Sequence, residues 1–191
     1  MQEFEDELLL AMWRKYFVDE ARYDVQQWVK DKWAEDKDLN PLQLKMMADG
    51  LEKHGFTRKT MGSNVSITEK GINRVESTEG LLDPKEKEKI FGRRRDILKA
   101  IKAASDSSGQ GTAQFGKVME STRLSRSDCG PHMRLAEERG SIVTASAGFF
   151  RLTEMGQYEL DALEAMYPTV EKKPDEPTGP VSLSSINFFG D

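Results

Sequence analysis

The sequence predicts a mainly helical fold with small β-hairpins, an α+β class, built from two tandem copies of one unit. Three observations carry that prediction. Gly55 and Gly140 lie 85 positions apart, and at that offset Glu52 meets Glu137, Thr68 meets Thr153, Glu69 meets Glu154 and Gly71 meets Gly156, without a gap. Ile67/Leu152, Val75/Leu160 and Glu76/Asp161 are conservative matches in the same frame, and self-similarity at a fixed offset marks a repeated structural unit. The helix caps repeat too: Asn40-Pro41 supplies a cap and a proline at the first helical position, and the offset carries Asn40 onto Ser125, with Asp128 three residues on as a capping-box-like partner.

The elements follow in order. A first helix is predicted from Phe4 to about Ala21, with Leu8, Met12 and Tyr16 at helical spacing. Asp24 caps a second helix carrying Val25, Trp28, Val29 and Trp33, an aromatic stripe whose periodicity assigns it to the core. The third helix runs through Leu42, Met46 and Leu51 and stops at Gly55, a residue suited to the left-handed conformation at a helix end. Phe56–Met61 and Val65–Ile67 flank Gly62-Ser63-Asn64 as a hairpin, and the Thr68 hydroxyl is placed to cap the helix that follows. Residues 77–84 read as a linker ending in a helix start. From Lys85 to Ala104 a long helix presents Ile90, Ile97, Leu98 and Ile101 on one face, and Ser105–Gly111 is a polar loop. Its Gly109-Gln110-Gly111 lacks the preceding strand and the Gly-Lys-Ser/Thr of a phosphate-binding loop.

In the second copy the third helix runs through Met133 and Leu135 to Gly140. A hairpin of Ile142–Ala145 and Phe149–Leu152 surrounds Ser146-Ala147-Gly148, and Thr153 caps the next helix. Gly130-Pro131 inside that third helix predicts a kink or a delayed start, because proline removes a hydrogen bond of the helix.

Leu51-Glu52-Lys53-His54-Gly55-Phe56 followed by Ile67-Thr68-Glu69-Lys70-Gly71, and Ala136-Glu137-Glu138-Arg139-Gly140 followed by Leu152-Thr153-Glu154-Met155-Gly156, resemble the end of the third helix and the L-T-x-x-G exit from the wing in bacterial winged-helix (winged helix-turn-helix) proteins. The resemblance covers residues 3–79 and 85–166. It implies a winged-helix domain at 1–79, a linker at 80–84, a second winged-helix domain at 85–166 and a tail at 167–191.

The net charge of −5 hides an asymmetry. Residues 1–79 hold 12 Lys/Arg against 16 Asp/Glu, whereas residues 85–165 hold 14 against 12, and residues 91–134 hold nine against four. A single cysteine excludes an intramolecular disulfide, and Cys129 with two scattered histidines, His54 and His132, makes no metal site. We therefore expect no cofactor and a reducing, cytoplasmic setting. The acidic start, Glu3 to Glu7, and the short apolar run Leu8 to Met12 do not form a signal peptide, and no run reaches membrane-spanning length. Cys129 and His132 are the only nucleophile and base within reach of each other and show no third group, so no enzymatic activity is expected.

Beyond Tyr167, Pro168, Pro174, Pro177 and Pro180 among mixed charges predict a flexible tail. It ends in an apolar island, Val181 to Asp191. That island reads as simple disorder, as a docking peptide anchored by Ile186, Phe188 and Phe189, or as the start of a further element.

Two functions are expected from the resemblance. In the first, the chain is a DNA-binding regulator contacting duplex DNA through its second winged helix. Ser125, Arg126, Ser127, His132 and Arg134 would then face base edges, while Arg93, Arg94, Arg95, Lys117, Arg123 and Arg151 would neutralise phosphates. In the second, it is a scaffold that holds proteins, like kleisin-interacting tandem winged helices, through its acidic first unit or its tail. The arginines discriminate between them: if they pair with local acids or pack against the first unit, the DNA reading fails.

Overall fold

Seven elements run along the first half of the chain and the same seven follow in the second. The structure, a computed structural model, describes residues 2–19, 23–60 and 64–168. The first half comprises α1 (Gln2–Asp19), β1 (Tyr23–Asp24), α2 (Val25–Glu35), α3 (Pro41–Lys53), β2 (Thr57–Lys59), β3 (Asn64–Ile67) and α4 (Glu69–Ser77). The second comprises α5 (Pro84–Ser107), β4 (Ala113–Gln114), α6 (Phe115–Thr122), α7 (Arg126–Glu138), β5 (Ile142–Ser146), β6 (Phe149–Leu152) and α8 (Glu154–Met166). The fold is mainly helical with two small antiparallel sheets, ordered β1-β3-β2 and β4-β6-β5. The offset of 85 carries α3 onto α7 and β3 onto β6 residue for residue.

Local chemistry sets these boundaries. Asp24, Asn40 and Ser125 cap α2, α3 and α7 as expected, with Asn40 Oδ1 accepting from Leu42 N–H at 2.9 Å and Ser125 Oγ from Asp128 N–H at 3.1 Å. Gly55 and Gly140 adopt φ of 76° and 70°, where other residues are strained. The threonine signature works identically in both halves. Thr68 and Thr153 donate to the carbonyls of Gly55 and Gly140 at 2.7 and 2.6 Å and accept from the N–H of Gly71 and Gly156 at 3.2 and 3.0 Å. A methyl on Gly71 would sit 2.3 Å from the Phe56 oxygen, and one on Gly156 2.0 Å from the Ser141 oxygen, so both positions require glycine.

The structure adds to or departs from the sequence reading at four points. The strands β1 and β4 were not foreseen, because two residues are too short to show an alternating pattern. Trp28 is buried, but Trp33 is exposed, with the Lys37 ammonium 4.0 Å from its ring centroid. Leu42 and Met46 lie on the third helix as expected, but are 63% and 64% exposed. Pro131 does not delay its helix: α7 starts at Arg126 behind the Ser125 cap, with Cys129, Met133, Leu135 and Ala136 anchoring it in the core.

Both halves contribute to one buried cluster. Leu8, Leu9, Met12, Trp13 and Phe17 of α1 join Ile72 and Val75 of α4, then Ile97, Leu98 and Ile101 of α5 and Leu135 of α7. Across this junction α1 lies along α7, its Tyr16 hydroxyl donating to the Pro131 carbonyl at 3.4 Å. Among the described residues no helix is long and apolar enough to cross a membrane.

Candidate nucleic-acid interface

The basic residues that set the second unit apart divide into a buried group and an exposed one. Arg93, Arg94 and Arg95 stand on consecutive positions of α5 and each is claimed internally. Arg93 donates to Asp128 at 2.9 Å. Arg95 is 7% exposed and donates to Asp96 at 2.6 and 2.9 Å and to the Tyr167 carbonyl.

Arg94 is 2% exposed and reaches into the other half of the chain, gripping Glu76 of α4 with both terminal nitrogens at 2.7 and 3.2 Å. Arg139, just past the end of α7, donates to the other side of the same carboxylate at 3.0 Å and to Glu159 at 3.2 Å. The Trp13 indole N–H completes the set at 3.3 Å from Glu76 Oε1. Burial pushes the Glu76 carboxyl up, but Arg94 and Arg139 together outweigh it and hold the group below the ordinary carboxylate range. This cluster joins α4, α5, α7, α8 and α1 at one buried point.

His132 is likewise removed from any outer surface. It is 1% exposed, its ring lies 4.9 Å from that of Phe17, and neither ring nitrogen has a hydrogen-bond partner. Burial, reinforced by the Arg94 and Arg93 guanidiniums, pushes its imidazole down to about 3. The Cys129 thiol is buried, its pKa raised by that burial, and its polar neighbour is the Thr122 hydroxyl at 3.9 Å. Arg94, Arg95 and His132, expected to face DNA, are therefore corrected to core positions. A charge count along the chain cannot show which charges meet across the fold.

The remaining expected contacts are exposed. Ser125, Arg126 and Ser127 sit at the start of α7, Arg134 further along it, Lys117 on α6, Arg123 at the α6 end with φ of 56°, and Arg151 on β6. Arg126 lies 5.9 Å from the ring of Phe115, which meets Phe150 edge to face. Successive strand residues point to opposite faces, so Arg151 lies on the far side of the sheet from Phe150.

The Ser125 hydroxyl is already engaged, donating to Asp128 at 2.6 Å and standing 2.8 Å from Ser127 Oγ. That hydroxyl, with Arg93, holds the Asp128 carboxyl below its ordinary value against its partial burial. A carboxylate kept charged at the head of α7 repels the phosphates a reading helix must approach.

The matched helix of the first half presents a different surface. At the offset of 85, Pro131 corresponds to Met46 and Ser127 to Leu42. Pro131 is buried next to α1, while Met46 and Leu42 are bare. The anchors expected in the tail, Ile186, Phe188 and Phe189, lie outside the described residues. Among the described residues no group of three His, Cys, Asp or Glu side chains is placed to hold a metal ion. No protein-family model, curated protein or solved structure matches the chain.

Proposed function

We propose that the chain is a non-enzymatic protein-interaction module of the tandem winged-helix type, with units at 1–79 and 85–166 joined by 80–84, working in the cytoplasm. Its contact surface is the outer face of α3. One comparison carries the reading. Pro131 of α7 is buried beside the protein helix α1, whereas its match on α3, Met46, is exposed, and so is Leu42 one turn before it. Adjacent large apolar side chains left in water mark a surface that a partner completes. The pairing of Arg93, Arg94 and Arg95 with acids weighs against the DNA reading.

The test is a photo-crosslinking residue placed at Met46 in cells. A discrete protein adduct is expected, lost when Leu42→Glu is added and absent when the crosslinker is placed at Lys102 on α5. No adduct at position 46 would overturn the assignment.

A second reading, contact with duplex DNA through the second unit, rests on Lys117, Arg123 and Arg126, which are exposed and have no acidic partner among the described residues.

A further inference from the structure

The second half of the chain shows what the first half leaves open. Val65 of β3 matches Phe150 of β6 at the offset of 85, and Val25 and Phe115 each open the helix that follows a two-residue strand. In the second half the two phenylalanine rings meet edge to face, centroids 6.1 Å apart. Two valines stand in their places in the first half, and there a cavity of about 740 Å³ opens between α2, α3 and the sheet. That volume lies within the range of small-molecule sites, about 300–1,000 Å³. Its depth is genuine, because Leu8 and Met12, 1% and 2% exposed, form part of the lining.

The polar groups are few and specific. Thr57 lines the cavity where the second half carries Ile142, and its hydroxyl is buried without a hydrogen-bond partner. Leaving a buried hydroxyl unpaired costs about 1–3 kcal/mol, so a ligand atom that meets it gains. Lys30, Lys45 and Lys59 line the cavity together with Asp49 and Glu52. Lys59 is taken by Glu52 at 2.8 Å, while Lys30 and Lys45 have no ion pair among the described residues. Set against Asp49, Lys30 and Lys45 leave the lining one positive charge in excess inside a unit that is acidic overall, which favours an anionic ligand.

We propose that this cavity binds a small apolar carboxylate, its hydrocarbon body between Val25, Val29 and Val65 and its charge on Lys30 and Lys45. The cavity shares Leu42 with the bare outer face of α3, whereas Met46 is not part of its lining, so octanoate binding and the crosslink at position 46 are read independently.

Isothermal titration of the full chain with octanoate, and with 1-octanol as its uncharged counterpart, tests the assignment. One saturable octanoate site is expected, with octanol at least fivefold weaker. Lys45→Gln should bring octanoate down toward octanol. Val65→Phe, which installs the residue the second half tolerates, should weaken both at least tenfold, with circular dichroism confirming that the fold is kept. Thr57→Ile provides the same block from a second position should Val65→Phe disturb folding. Absence of saturable octanoate binding would overturn the proposal, as would octanoate affinity unchanged by the Val65 or Thr57 replacement. An apolar peptide as the true occupant would appear as the first of those outcomes.

Discussion

Glu76→Ala should lower the free energy of unfolding by about 3–5 kcal/mol, because Arg94, 2% exposed, then keeps only the Glu159 carboxylate 3.9 Å away, and Arg139 loses one of its two acids. In a chain of this size that corresponds to a fall in Tm on the order of 10 °C. Among the described residues this carboxylate is the one that accepts from Arg94, Arg139 and Trp13 together; Glu159 reaches both arginines, but stands 3.9 Å from Arg94. The cost arises from an orphaned charge rather than from a lost attraction, and this has a checkable consequence. Glu76→Leu combined with Arg94→Leu should be clearly less damaging than the sum of the two single changes, since the pair is removed together. Arg14→Ala, which breaks an exposed pair with Glu86, should cost less than about 1 kcal/mol. Urea unfolding of the five variants separates these expectations. Equal losses for Glu76→Ala and Arg14→Ala would mean that the cluster does not hold the halves together.

The second large effect is acid sensitivity. The His132 imidazole is neutral in the folded chain down to about pH 3, whereas in the unfolded chain it takes a proton near 6.5. The unfolded state therefore binds more protons between those values, and stability falls as pH drops through that window, at up to about 1.4 kcal/mol per pH unit. Stability from this source is complete above about pH 6.5. Glu76 acts in the same direction but lower: its depressed carboxyl contributes stability that is present above the ordinary carboxylate range and lost below it. The interval from about pH 6.5 to 4.5 thus belongs to His132. His132→Leu places an apolar side chain against Phe17 without abandoning a hydrogen bond, since neither ring nitrogen has one. It should flatten stability over that interval in urea titrations at several pH values. An unchanged slope would place the acid sensitivity elsewhere.

What was legible in the sequence was local. The Thr68 and Thr153 caps, the left-handed Gly55 and Gly140 and the Asn40 and Ser125 helix starts depend on neighbours a few residues away, so an offset of 85 was enough to find them twice. The junction between the halves was not legible. Glu76 and Asp161 match in the repeat frame, yet the Glu76 side chain, 9% exposed, stands between two arginines while Asp161 is exposed and accepts from Gln157 at 2.5 Å. Nothing within reach of either residue along the chain distinguishes them. The same blindness made Arg93, Arg94 and Arg95 look like a phosphate-contacting run, when α5 turns each toward a partner chosen by the fold. The cavity of the first half did leave a trace, in the replacement of Phe150 and Ile142 by Val65 and Thr57 within an otherwise matching frame, and that trace becomes readable once the two sheets are superimposed in register.

The most direct measurement is fluorescence anisotropy of a labelled random DNA duplex titrated with the full chain at about 50 mM and about 200 mM salt. Genuine phosphate contacts lose orders of magnitude in affinity over that range. With Arg93, Arg94 and Arg95 spent on internal pairs and His132 buried, we predict no saturable binding even at the lower salt. Saturable binding at about 50 mM that collapses at about 200 mM and weakens with Arg126→Ala would contradict the protein-interaction reading and restore the second unit as a DNA-contacting surface.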